Sequence, residues 1–360
     1  MHLRIASLGF GNVGQALAIM LAEKAGEMER RYGLAVSFTG AFTRSSGAWI
    51  APRGIAPADL AASGWPRTTR ETIPNREAAM RQIASLVDGP REFIGDALAF
   101  ARTCPADVVL ELTTLNPMTG QPATDHVRAA LTTGKHVVTA NKGPIAHAYR
   151  ELRALAGEHG VSLRFESTVM DGTPIFSMAE ASLPATTITG FRGLLNSTSN
   201  YVLSLMAQGK TLEQGIAAAQ RAGVAEADPS YDLDGWDASV KATVLANVLM
   251  GAELRPADVL RGTLGAEAMR QAQADMRPGE TLKQVVEAER DGEHVVARVR
   301  LLALPATDFF AHLSGMETAL QIHTDTMQDL TLVEGEGGPG QTAFGVLADL
   351  IAIARTNTNK

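Results

Sequence analysis

The sequence predicts an α/β protein in which a doubly wound parallel sheet is followed by a second domain of mixed α+β structure. A short apolar strand near the amino terminus runs into a glycine-rich turn and then into a long helical segment. Apolar strands alternate with helical segments as far as about residue 170, which is the pattern of βαβ units. Beyond about residue 172 this alternation stops, so a different architecture is expected there.

The glycine-rich turn is the most informative element of the first half. Residues 3–8 are predicted to form a strand, Gly9-Phe-Gly-Asn-Val-Gly14 follows directly, and a helix is predicted from about residue 13 to 31. Strand, G-x-G-x-x-G and helix in this order are the fingerprint of a Rossmann-type dinucleotide site. The glycines permit a tight turn and close approach of the pyrophosphate, and the helix N-terminus attracts phosphate. The predicted cofactor contacts are Gly9, Phe10, Gly11, Asn12, Val13 and Gly14.

The end of the second strand bears on the choice of cofactor. This strand is predicted over residues 36–43, and Thr43-Arg44-Ser45-Ser46 stands at its end. An NAD site usually has an acid here for the ribose 2′-hydroxyl, whereas a guanidinium and hydroxyls suit the 2′-phosphate of NADP. We expect NADP(H) to be preferred through Arg44, with NAD(H) as the alternative cofactor. A solvated loop arginine is the competing interpretation.

The remaining strands of the first half supply two more candidate cofactor contacts. Residues 47–90 are predicted to be irregular because of their prolines, and residues 91–102 to be helical. Buried strands are predicted over 106–113, 135–140 and 162–169, with helices over 121–133 and 145–158. Ligands of open α/β sheets bind at the carboxyl ends of strands. Thr113 and Lys142 stand at such ends and are predicted to contact the cofactor, although a surface lysine would also explain Lys142.

The second half is predicted to be an α+β domain. Strands are predicted over 187–195, 294–304, 318–323 and 329–333, and helices over 199–208, 211–222 and 237–250. Near the carboxyl terminus, a glycine-rich turn over 334–342 opens an apolar helix over 343–354. Backbone N–H groups of such a turn can bind phosphate, so Gly340 and Thr342 are further candidate cofactor contacts. An ordinary interdomain hinge is the alternative.

An acidic stretch over 223–241 is the strongest candidate for substrate chemistry. Asp237 and Lys241 are four residues apart on a predicted helix, so they share one face. A solvated loop fits this pattern, and so does a substrate site in which acids hold an ammonium or hydroxyl and the lysine moves a proton. A calcium loop is excluded because Lys241 would occupy the position of its bidentate glutamate. The acids of the stretch are Glu226, Asp228, Asp232, Asp234 and Asp237.

Composition narrows the functional classes. The 360 residues are 45% hydrophobic and 20% charged, which is ordinary for a soluble globular protein of two domains. The net charge of -7 argues against nucleic acid as a partner, and the single cysteine, Cys104, excludes an internal disulfide. Neither a membrane-spanning run nor a signal peptide is recognised, so a cytoplasmic location without membrane contact is expected.

Together these motifs resemble those of the homoserine dehydrogenase family. Matching stretches extend over most of the chain, and the two most specific are Thr-Ala-Asn-Lys, which ends at Lys142, and the acidic stretch. The short form of the family is the one resembled, so neither a regulatory ligand-binding domain nor a fused kinase is expected. The matching stretches are Gly9-Phe-Gly-Asn-Val-Gly14, Gly134-Lys-His-Val-Val-Thr-Ala-Asn-Lys-Gly-Pro144, Phe165-Glu-Ser-Thr-Val169 with Thr173-Pro174, Asn196-Ser-Thr-Ser-Asn200, Gly223-Val-Ala-Glu-Ala-Asp-Pro229 with Asp232, Asp237 and Lys241, and Gly340-Gln-Thr-Ala343.

The resemblance implies a division of the chain and a reaction. Residues 1–150 would form an NAD(P)-binding domain completed by 335–360, and 151–334 would bind the substrate and carry the contact of a homodimer. The implied reaction belongs to threonine and methionine biosynthesis. It is the reversible reduction of an amino-acid aldehyde, L-aspartate 4-semialdehyde, to L-homoserine by NAD(P)H. The resemblance also implies a monovalent cation, Na⁺ or K⁺, held largely by backbone oxygens near Glu166 and Val169.

The resemblance further implies roles for individual residues. Lys241 would be the acid–base or polarising group, with Lys142 as its partner, because an ammonium stabilises a developing alkoxide. Glu226 and Asp237 would bind substrate and orient the lysine. The substrate contacts implied are Glu226, Asp237, Asp232, Thr198 and Asn196.

Three departures from the family pattern leave the substrate open. Met170-Asp171 and Ser197 stand where the family usually has glycines, and Val224 stands where many members have an aromatic residue. A glycine beside a substrate permits close backbone approach, so these changes can alter the pocket. Two alternatives therefore accompany the leading hypothesis. One is an NAD(P)-dependent dehydrogenase of another small hydroxy acid or aldehyde, and the other is a non-catalytic dinucleotide-binding sensor.

Overall fold

Two compact units make up the chain in a computed structural model that describes residues 1–44, 47–63, 83, 85–86, 91–262 and 264–358. The first unit joins Met1–Pro174 to Gly338–Lys360, and the second is the continuous segment Ile175–Gly337. The first unit therefore extends past the expected boundary at residue 150, which falls inside the helix Lys142–Glu158.

The described part of the first unit is built on a seven-stranded, mostly parallel sheet. Its strands are β1 (His2–Leu8), β2 (Ala35–Thr43), β3 (Gly47–Ile55), β4 (Arg91–Glu92), β5 (Val108–Glu111), β6 (His136–Thr139) and β7 (Leu163–Arg164). They lie in the order β4-β3-β2-β1-β5-β6-β7, and only the pairs β2–β3 and β3–β4 are antiparallel. The chain moves outward from β1 to β2 and then returns to β5 on the other side. The crevice beside β1 and β5 is thus a topological switch point, where ligands of such sheets bind.

Helices cover the sheet and supply its apolar packing. Those between the strands are α1 (Asn12–Tyr32), α2 (Pro57–Ala62), α3 (Ala97–Thr103), α4 (Ala123–Thr132) and α5 (Lys142–Glu158). Leu17 and Leu21 of α1 are buried in one core with Ile5 of β1 and Leu110 of β5. The predicted α/β class and its doubly wound sheet are confirmed by this arrangement.

The second unit contains a mixed six-stranded sheet in its described residues, in the order β13-β12-β8-β10-β11-β9. Neighbouring strands are antiparallel except for β9 and β11. The predicted α+β character of this half is confirmed. Its elements are α6 (Phe176–Ser182), β8 (Ile188–Leu194), α7 (Ser197–Ala207), α8 (Leu212–Arg221), α9 (Ser230–Leu233), α10 (Trp236–Leu249), β9 (Leu260–Arg261), α11 (Ala266–Asp275), β10 (Thr281–Asp291), β11 (His294–Leu304), β12 (Thr318–Thr324) and β13 (Gln328–Glu334).

The chain then returns to the first unit as α12 (Pro339–Thr358). Its buried Val346 and Leu350 join the core that contains Leu17 of α1. The helix approaches the segment after β7 so closely that a Cβ on Gly345 would lie 2.2 Å from Ser167 Oγ. Ser167 Oγ donates a 2.7 Å hydrogen bond to the Thr342 carbonyl. Glycine at position 345 is therefore required by this contact.

Residues 47–90 were predicted to be irregular, and this is wrong for the part that the structure describes. β3 and α2 occupy most of residues 47–62. Pro52 is tolerated within β3 because β4 pairs only with Trp49 and Ile50, so among the described residues the later part of the strand has no neighbour on that side. Of the remainder, only residues 63, 83, 85 and 86 are described, so the prediction for the others lies outside the described residues.

Three further boundaries differ from the prediction. The helix predicted over 91–102 begins only at Ala97, because Arg91–Glu92 pairs with β3. The strand predicted over 162–169 ends at Arg164, since Glu166–Thr168 forms a 3₁₀ turn. The carboxyl-terminal helix begins at Pro339, four residues before the predicted start.

No helix within the described residues has the length and hydrophobicity that crossing a membrane requires.

A buried lysine in β10 makes the stability of the second unit depend on pH. Lys283 is 2% exposed, and its ammonium donates to Asn200 Oδ1 at 2.8 Å and to the Leu313 carbonyl. Burial lowers the pKa of Lys283 from 10.5 to about 8, an effect that the Glu317 carboxylate partly opposes. Between these two pH values the unfolded chain binds a proton that the folded chain has released. Stability should therefore rise with pH across this window.

We expect Lys283→Met to remove this dependence. Relative to the variant, the wild type should gain up to about 3 kcal/mol of unfolding free energy as the pH rises from 8 to 10.5. Urea unfolding of both proteins across this range measures the difference, and the variant serves as the control for all other titrating groups. Parallel stability curves for the two proteins would contradict the prediction.

Candidate functional site

The glycine-rich turn after β1 has the geometry of a nucleotide cradle. Gly9 has a φ of +84°, and a Cβ there would lie 2.5 Å from the Leu112 carbonyl oxygen. A Cβ on Gly14 would touch the ring of Phe10 at 3.1 Å, whereas a Cβ on Gly11 would meet no atom of the described residues within 4 Å. The side of the turn at Gly11 is thus open to a ligand. No side chain caps α1, so its first N–H groups can bind phosphate.

The other residues of this turn divide between packing and exposure. Phe10 is 5% exposed, and its ring stands edge-on to Phe38 at 5.7 Å between centroids. Its side chain therefore fills the core, and only its backbone can face a cofactor. Asn12 is exposed and Val13 is half-buried in the first turn of α1.

Arg44 follows directly on β2, as predicted, and is exposed. No acid stands at the end of this strand, where an NAD site usually has one. Ser45 and Ser46, which were predicted to assist Arg44, lie outside the described residues.

Thr113 and Lys142 lie at the carboxyl ends of β5 and β6. Asn141 Nδ2 donates to the Thr113 carbonyl at 3.1 Å, and Asn141 Oδ1 accepts from the Gly143 N–H at 2.9 Å. Asn141 thereby caps α5 and joins it to the segment after β5. Lys142 is half-buried and is the first residue of α5. These contacts bring the two predicted cofactor residues to one edge of the sheet.

The start of α12 is occupied by the side chain of Asp171. Its carboxylate accepts the Gly338 N–H at 2.7 Å and the Thr342 hydroxyl at 2.8 Å. The hydroxyl of Thr342, a predicted cofactor contact, is therefore already hydrogen-bonded within the protein. The other predicted contact, Gly340, is open, since a Cβ there would meet no atom of the described residues within 4 Å. The sequence suggested a phosphate at the start of this helix, and the structure places the Asp171 carboxylate there. Both groups are negatively charged, so both are favoured at a helix N-terminus.

Asp171 is held in a conformation that glycine prefers, with a φ of +37°. We expect Asp171→Ala to lower the unfolding free energy by about 2–3 kcal/mol, since it removes two charge-assisted hydrogen bonds. Asp171→Gly should cost about 1 kcal/mol less, because it relieves the positive φ. Urea unfolding measures both variants. Equal stability of Asp171→Ala and the wild type would contradict the role of this contact.

Glu166 and Val169, the residues named for a cation, are 3% and 2% exposed. The Glu166 N–H donates to Asp349 Oδ2 at 2.9 Å, which ties this turn to α12. No group of three or more His, Cys, Asp or Glu side chains suited to a metal is found among the described residues. A site made of backbone oxygens is a different arrangement, and it stays a prediction.

The acidic stretch of the second unit contains a compact polar cluster. Lys241 Nζ donates to the Leu195 carbonyl at 2.5 Å and lies 3.2 Å from Asp237 Oδ2. Asn196 Nδ2 donates to Asp232 Oδ1 at 2.8 Å and to Asp237 Oδ2 at 3.0 Å. One amide therefore bridges two carboxylates, and one of these carboxylates orients the lysine. The predicted i,i+4 pairing of Asp237 and Lys241 is confirmed.

The electrostatics of this cluster favour a cation. Burial raises the pKa of Asp232, and the nearby Asp237 raises it further. Hydrogen bonds with Asn196 and Thr198 and the charge of Lys241 act in the opposite direction. A further cation bound beside the two carboxylates would favour their charged forms.

Two other predicted residues have less direct contact with this cluster. Thr198 is buried in the first turn of α7, where its single hydroxyl hydrogen can be donated either to the Val224 carbonyl, at 3.2 Å, or to the Asp232 carboxylate. Glu226 is exposed, and its carboxylate makes no hydrogen bond or ion pair with any described residue. Asp228 shapes the loop by accepting the Ser230 N–H at 3.0 Å.

Sequence reasoning missed two buried polar groups. Tyr231 lies in α9, and burial followed by the charges of Asp237 and Asp232 raises its pKa, so its phenol stays protonated. Glu111 ends β5 and is fully buried. The signal for Glu111 was present, because it is an acid that interrupts the apolar run of a strand predicted to be buried on both faces.

A dinucleotide cradle at the switch point of one unit and a lysine oriented by a buried carboxylate in the other are features of an NAD(P)-dependent oxidoreductase.

Comparison with known proteins identifies the family of this chain. The family model for homoserine dehydrogenase matches residues 174–351, and the model for the NAD-binding domain of homoserine dehydrogenase matches residues 9–166. The chain belongs to the homoserine dehydrogenase family.

Individual relatives are similar to this chain along nearly its whole length. The NAD(+)-dependent homoserine dehydrogenase of Pseudomonas canavaninivorans is 34% identical over 99% of this chain and 97% of its own length. Homoserine dehydrogenase of Methanocaldococcus jannaschii is 33% identical over 97% and 98%. Among solved structures, a putative homoserine dehydrogenase of Archaeoglobus fulgidus superposes with a TM-score of 0.79 at 28% identity, covering 98% of this chain and 99% of that one. A hyperthermophilic archaeal homoserine dehydrogenase in complex with NADPH gives 0.78 at 25%, covering 99% and 98%.

Proposed function

We propose that this chain catalyses the reversible NAD(P)H-dependent reduction of L-aspartate 4-semialdehyde to L-homoserine. The observation that carries the proposal is the cluster in which Lys241 is held by Asp237 and Leu195 beside a second carboxylate, Asp232. The first unit would bind the dinucleotide, and the second would bind the substrate and carry the contact of a homodimer. A cytoplasmic location is proposed as well.

The charge of the cluster supports an amino-acid aldehyde as the substrate. Burial and the nearby Asp237 raise the pKa of Asp232, and the α-ammonium of aspartate semialdehyde bound beside these two carboxylates would favour their charged forms. Glu226 stands in the same acidic stretch and is proposed as a further contact to the ammonium or the hydroxyl. An aldehyde without an ammonium group would bring no such cation to the two carboxylates.

Lys241 is proposed as the group that polarises the aldehyde oxygen and donates a proton to it. A bound reduced nicotinamide supplies the hydride to the aldehyde carbon. Negative charge then develops on the oxygen, where an oriented ammonium stabilises it most at the transition state. Asp237 fixes the orientation of the Lys241 ammonium from 3.2 Å. Lys142 is proposed as a second cationic contact to the reacting groups.

A preference for NADP(H) is proposed from Arg44, although the relative from Pseudomonas canavaninivorans is named as NAD(+)-dependent. We expect Arg44→Asp to raise the KM for NADPH about 10–100-fold, because a charge-assisted contact to the 2′-phosphate is lost and a repulsive carboxylate is added. The KM for NADH should change little or fall. Initial rates with both cofactors measure this, with the exposed Arg221→Asp as the control. An unchanged KM for NADPH would remove Arg44 from the site.

A single assay tests the proposed function. Purified protein is mixed with aspartate semialdehyde and either NADPH or NADH at neutral pH, and loss of nicotinamide absorbance is followed. The absence of turnover with both cofactors would reject the reaction. Repeating the assay with Na⁺ or K⁺ and with neither tests the proposed cation near Glu166 and Val169, since activity independent of both ions would exclude a catalytic role for it.

Another small aldehyde is the second candidate substrate. Its motivation is that Asp171 and Ser197 replace the glycines usual in the family. The carboxylate of Asp171 is hydrogen-bonded at the start of α12. Ser197 is the first residue of α7 and directly follows Asn196, which bridges the two carboxylates. A panel of aldehydes with and without an α-amino group separates the two candidates. Activity confined to aspartate semialdehyde would dismiss the second, and dinucleotide binding without any turnover would instead indicate a sensor.

A further inference from the structure

Glu111 is a fully buried acid at the carboxyl end of β5, and the proposed chemistry does not use it. Its Oε1 accepts the hydroxyl hydrogen of Thr113 and lies 3.4 Å from Nδ1 of His126, which is itself 4% exposed. Its Oε2 is buried and has no hydrogen-bond partner among the described residues. Buried polar atoms without partners are rare and costly, and they persist mainly where function requires them. Packing of the strand therefore does not explain Glu111.

The contact fixes the polarity of the Thr113 hydroxyl. A hydroxyl has one hydrogen and two lone pairs, and here the hydrogen is directed at the Glu111 carboxylate. Toward any ligand, Thr113 can then act only as an acceptor. The nearest competing donor, Asn141 Nδ2, is 3.5 Å from Thr113 Oγ1 and bonds the Thr113 carbonyl more closely, at 3.1 Å. A lone pair on Thr113 Oγ1 therefore remains available.

Thr113 lies at the carboxyl edge of the sheet, beside the proposed dinucleotide site. It is half-buried, it follows the strand that borders the switch point, and the residue before it packs against the turn at Gly9. The nicotinamide riboside half of the cofactor offers two kinds of donor, the carboxamide N–H and the ribose O–H. Either is complementary to an oriented oxygen acceptor.

We propose that Glu111 is a positioning residue, which holds the Thr113 hydroxyl as an acceptor for an N–H or O–H donor of the cofactor's nicotinamide riboside half. The proposal rests on the dinucleotide binding that belongs to the proposed function. Its distinctive consequence is that Glu111 affects cofactor affinity only through Thr113.

A double-mutant cycle on dinucleotide affinity tests this dependence. Kd values for NADH and NADPH are measured by fluorescence titration with Thr113→Val, Glu111→Met and the double variant. We expect Thr113→Val to weaken binding about tenfold and Glu111→Met several-fold, and the double variant to be no weaker than Thr113→Val alone. Thr113→Ser keeps a hydroxyl and Glu111→Gln keeps an oxygen acceptor, so both should restore most of the affinity.

Further arms identify the donor and control for folding. The 3-acetylpyridine analogue of NADH has a methyl ketone in place of the carboxamide and thus no N–H donor. If Thr113→Val weakens NADH but not this analogue, the donor is the carboxamide, and if both weaken equally, it is a ribose hydroxyl. Thr39→Val removes a buried hydroxyl that bonds the Ile5 carbonyl in the same sheet, and it should leave Kd unchanged. Thermal unfolding confirms that each variant is folded.

The outcomes separate this inference from the proposed function. Additive effects of Thr113→Val and Glu111→Met on Kd, or no effect of Thr113→Val, would overturn the inference while leaving dinucleotide binding intact. A wild type that binds neither NADH nor NADPH would overturn both.

Discussion

Replacing Lys241 with alanine is expected to lower kcat by about 10²–10⁴-fold, the usual contribution of a positioned acid–base group. The lysine is 15% exposed and is oriented by the Leu195 carbonyl at 2.5 Å and by Asp237 at 3.2 Å. Because the ammonium is already held in place, it needs little reorganisation when negative charge develops on the substrate oxygen. Steady-state rates with saturating NADPH and aspartate semialdehyde measure the loss.

Two comparisons make the Lys241 result specific. Lys210→Ala removes an exposed lysine from the same unit and should leave kcat within twofold, as surface substitutions usually do. Dinucleotide Kd should not change with Lys241→Ala, since the proposed cofactor cradle belongs to the other unit. A Lys241→Ala enzyme that keeps its kcat would exclude the lysine from the chemistry.

Replacing Asp237 with asparagine is expected to lower kcat/KM for aspartate semialdehyde about 10²-fold or more. Asp237 is 6% exposed and contacts both Asn196 Nδ2, at 3.0 Å, and Lys241 Nζ. Breaking one partner of a buried ion pair costs roughly 3–5 kcal/mol, because the other charge stays buried without compensation. The substrate ammonium also loses a proposed partner. We therefore expect both a higher KM and a lower unfolding free energy.

Asp228→Asn is the natural control for Asp237→Asn. Asp228 belongs to the same acidic stretch but is exposed, and its contact is with the Ser230 N–H. This variant should change kcat/KM by less than about threefold. Equal effects of the two substitutions would indicate that general loop charge, rather than the buried cluster, determines substrate binding.

Prediction from the sequence succeeded where structure depends on neighbours along the chain. The order β1, glycine turn and α1 was predicted because each element has a local signature, and the Asp237–Lys241 pair because a helix places i and i+4 on one face. β10 was missed because Lys283 and Gln284, both buried, interrupt the apolar pattern of its strand. A hydrophobic pattern cannot reveal a core that contains polar groups satisfied by distant partners.

The parts of the site that could not be predicted are contacts between distant residues. Asn196 reaches Asp232 and Asp237 across 36 and 41 residues, and no local pattern encodes that bridge. Asp171 was recognised as a departure from the family, but its bond to the Gly338 N–H spans 167 residues. Its effect was expected in a pocket, and the structure instead places its carboxylate at the start of α12.

The return of α12 to the first unit sets an order for folding during synthesis. The second unit is continuous, so Ile175–Gly337 can complete its core as soon as it has left the ribosome. The first unit cannot, because Val346, Leu350 and Ile353 belong to a core whose members outside α12 were made more than two hundred residues earlier. Closing so long a loop is entropically costly and slow. Synthesis of the nucleotide-binding unit therefore begins first, but its folding is completed last. Until α12 is made, the apolar surface that this helix covers stays exposed to aggregation and to chaperones.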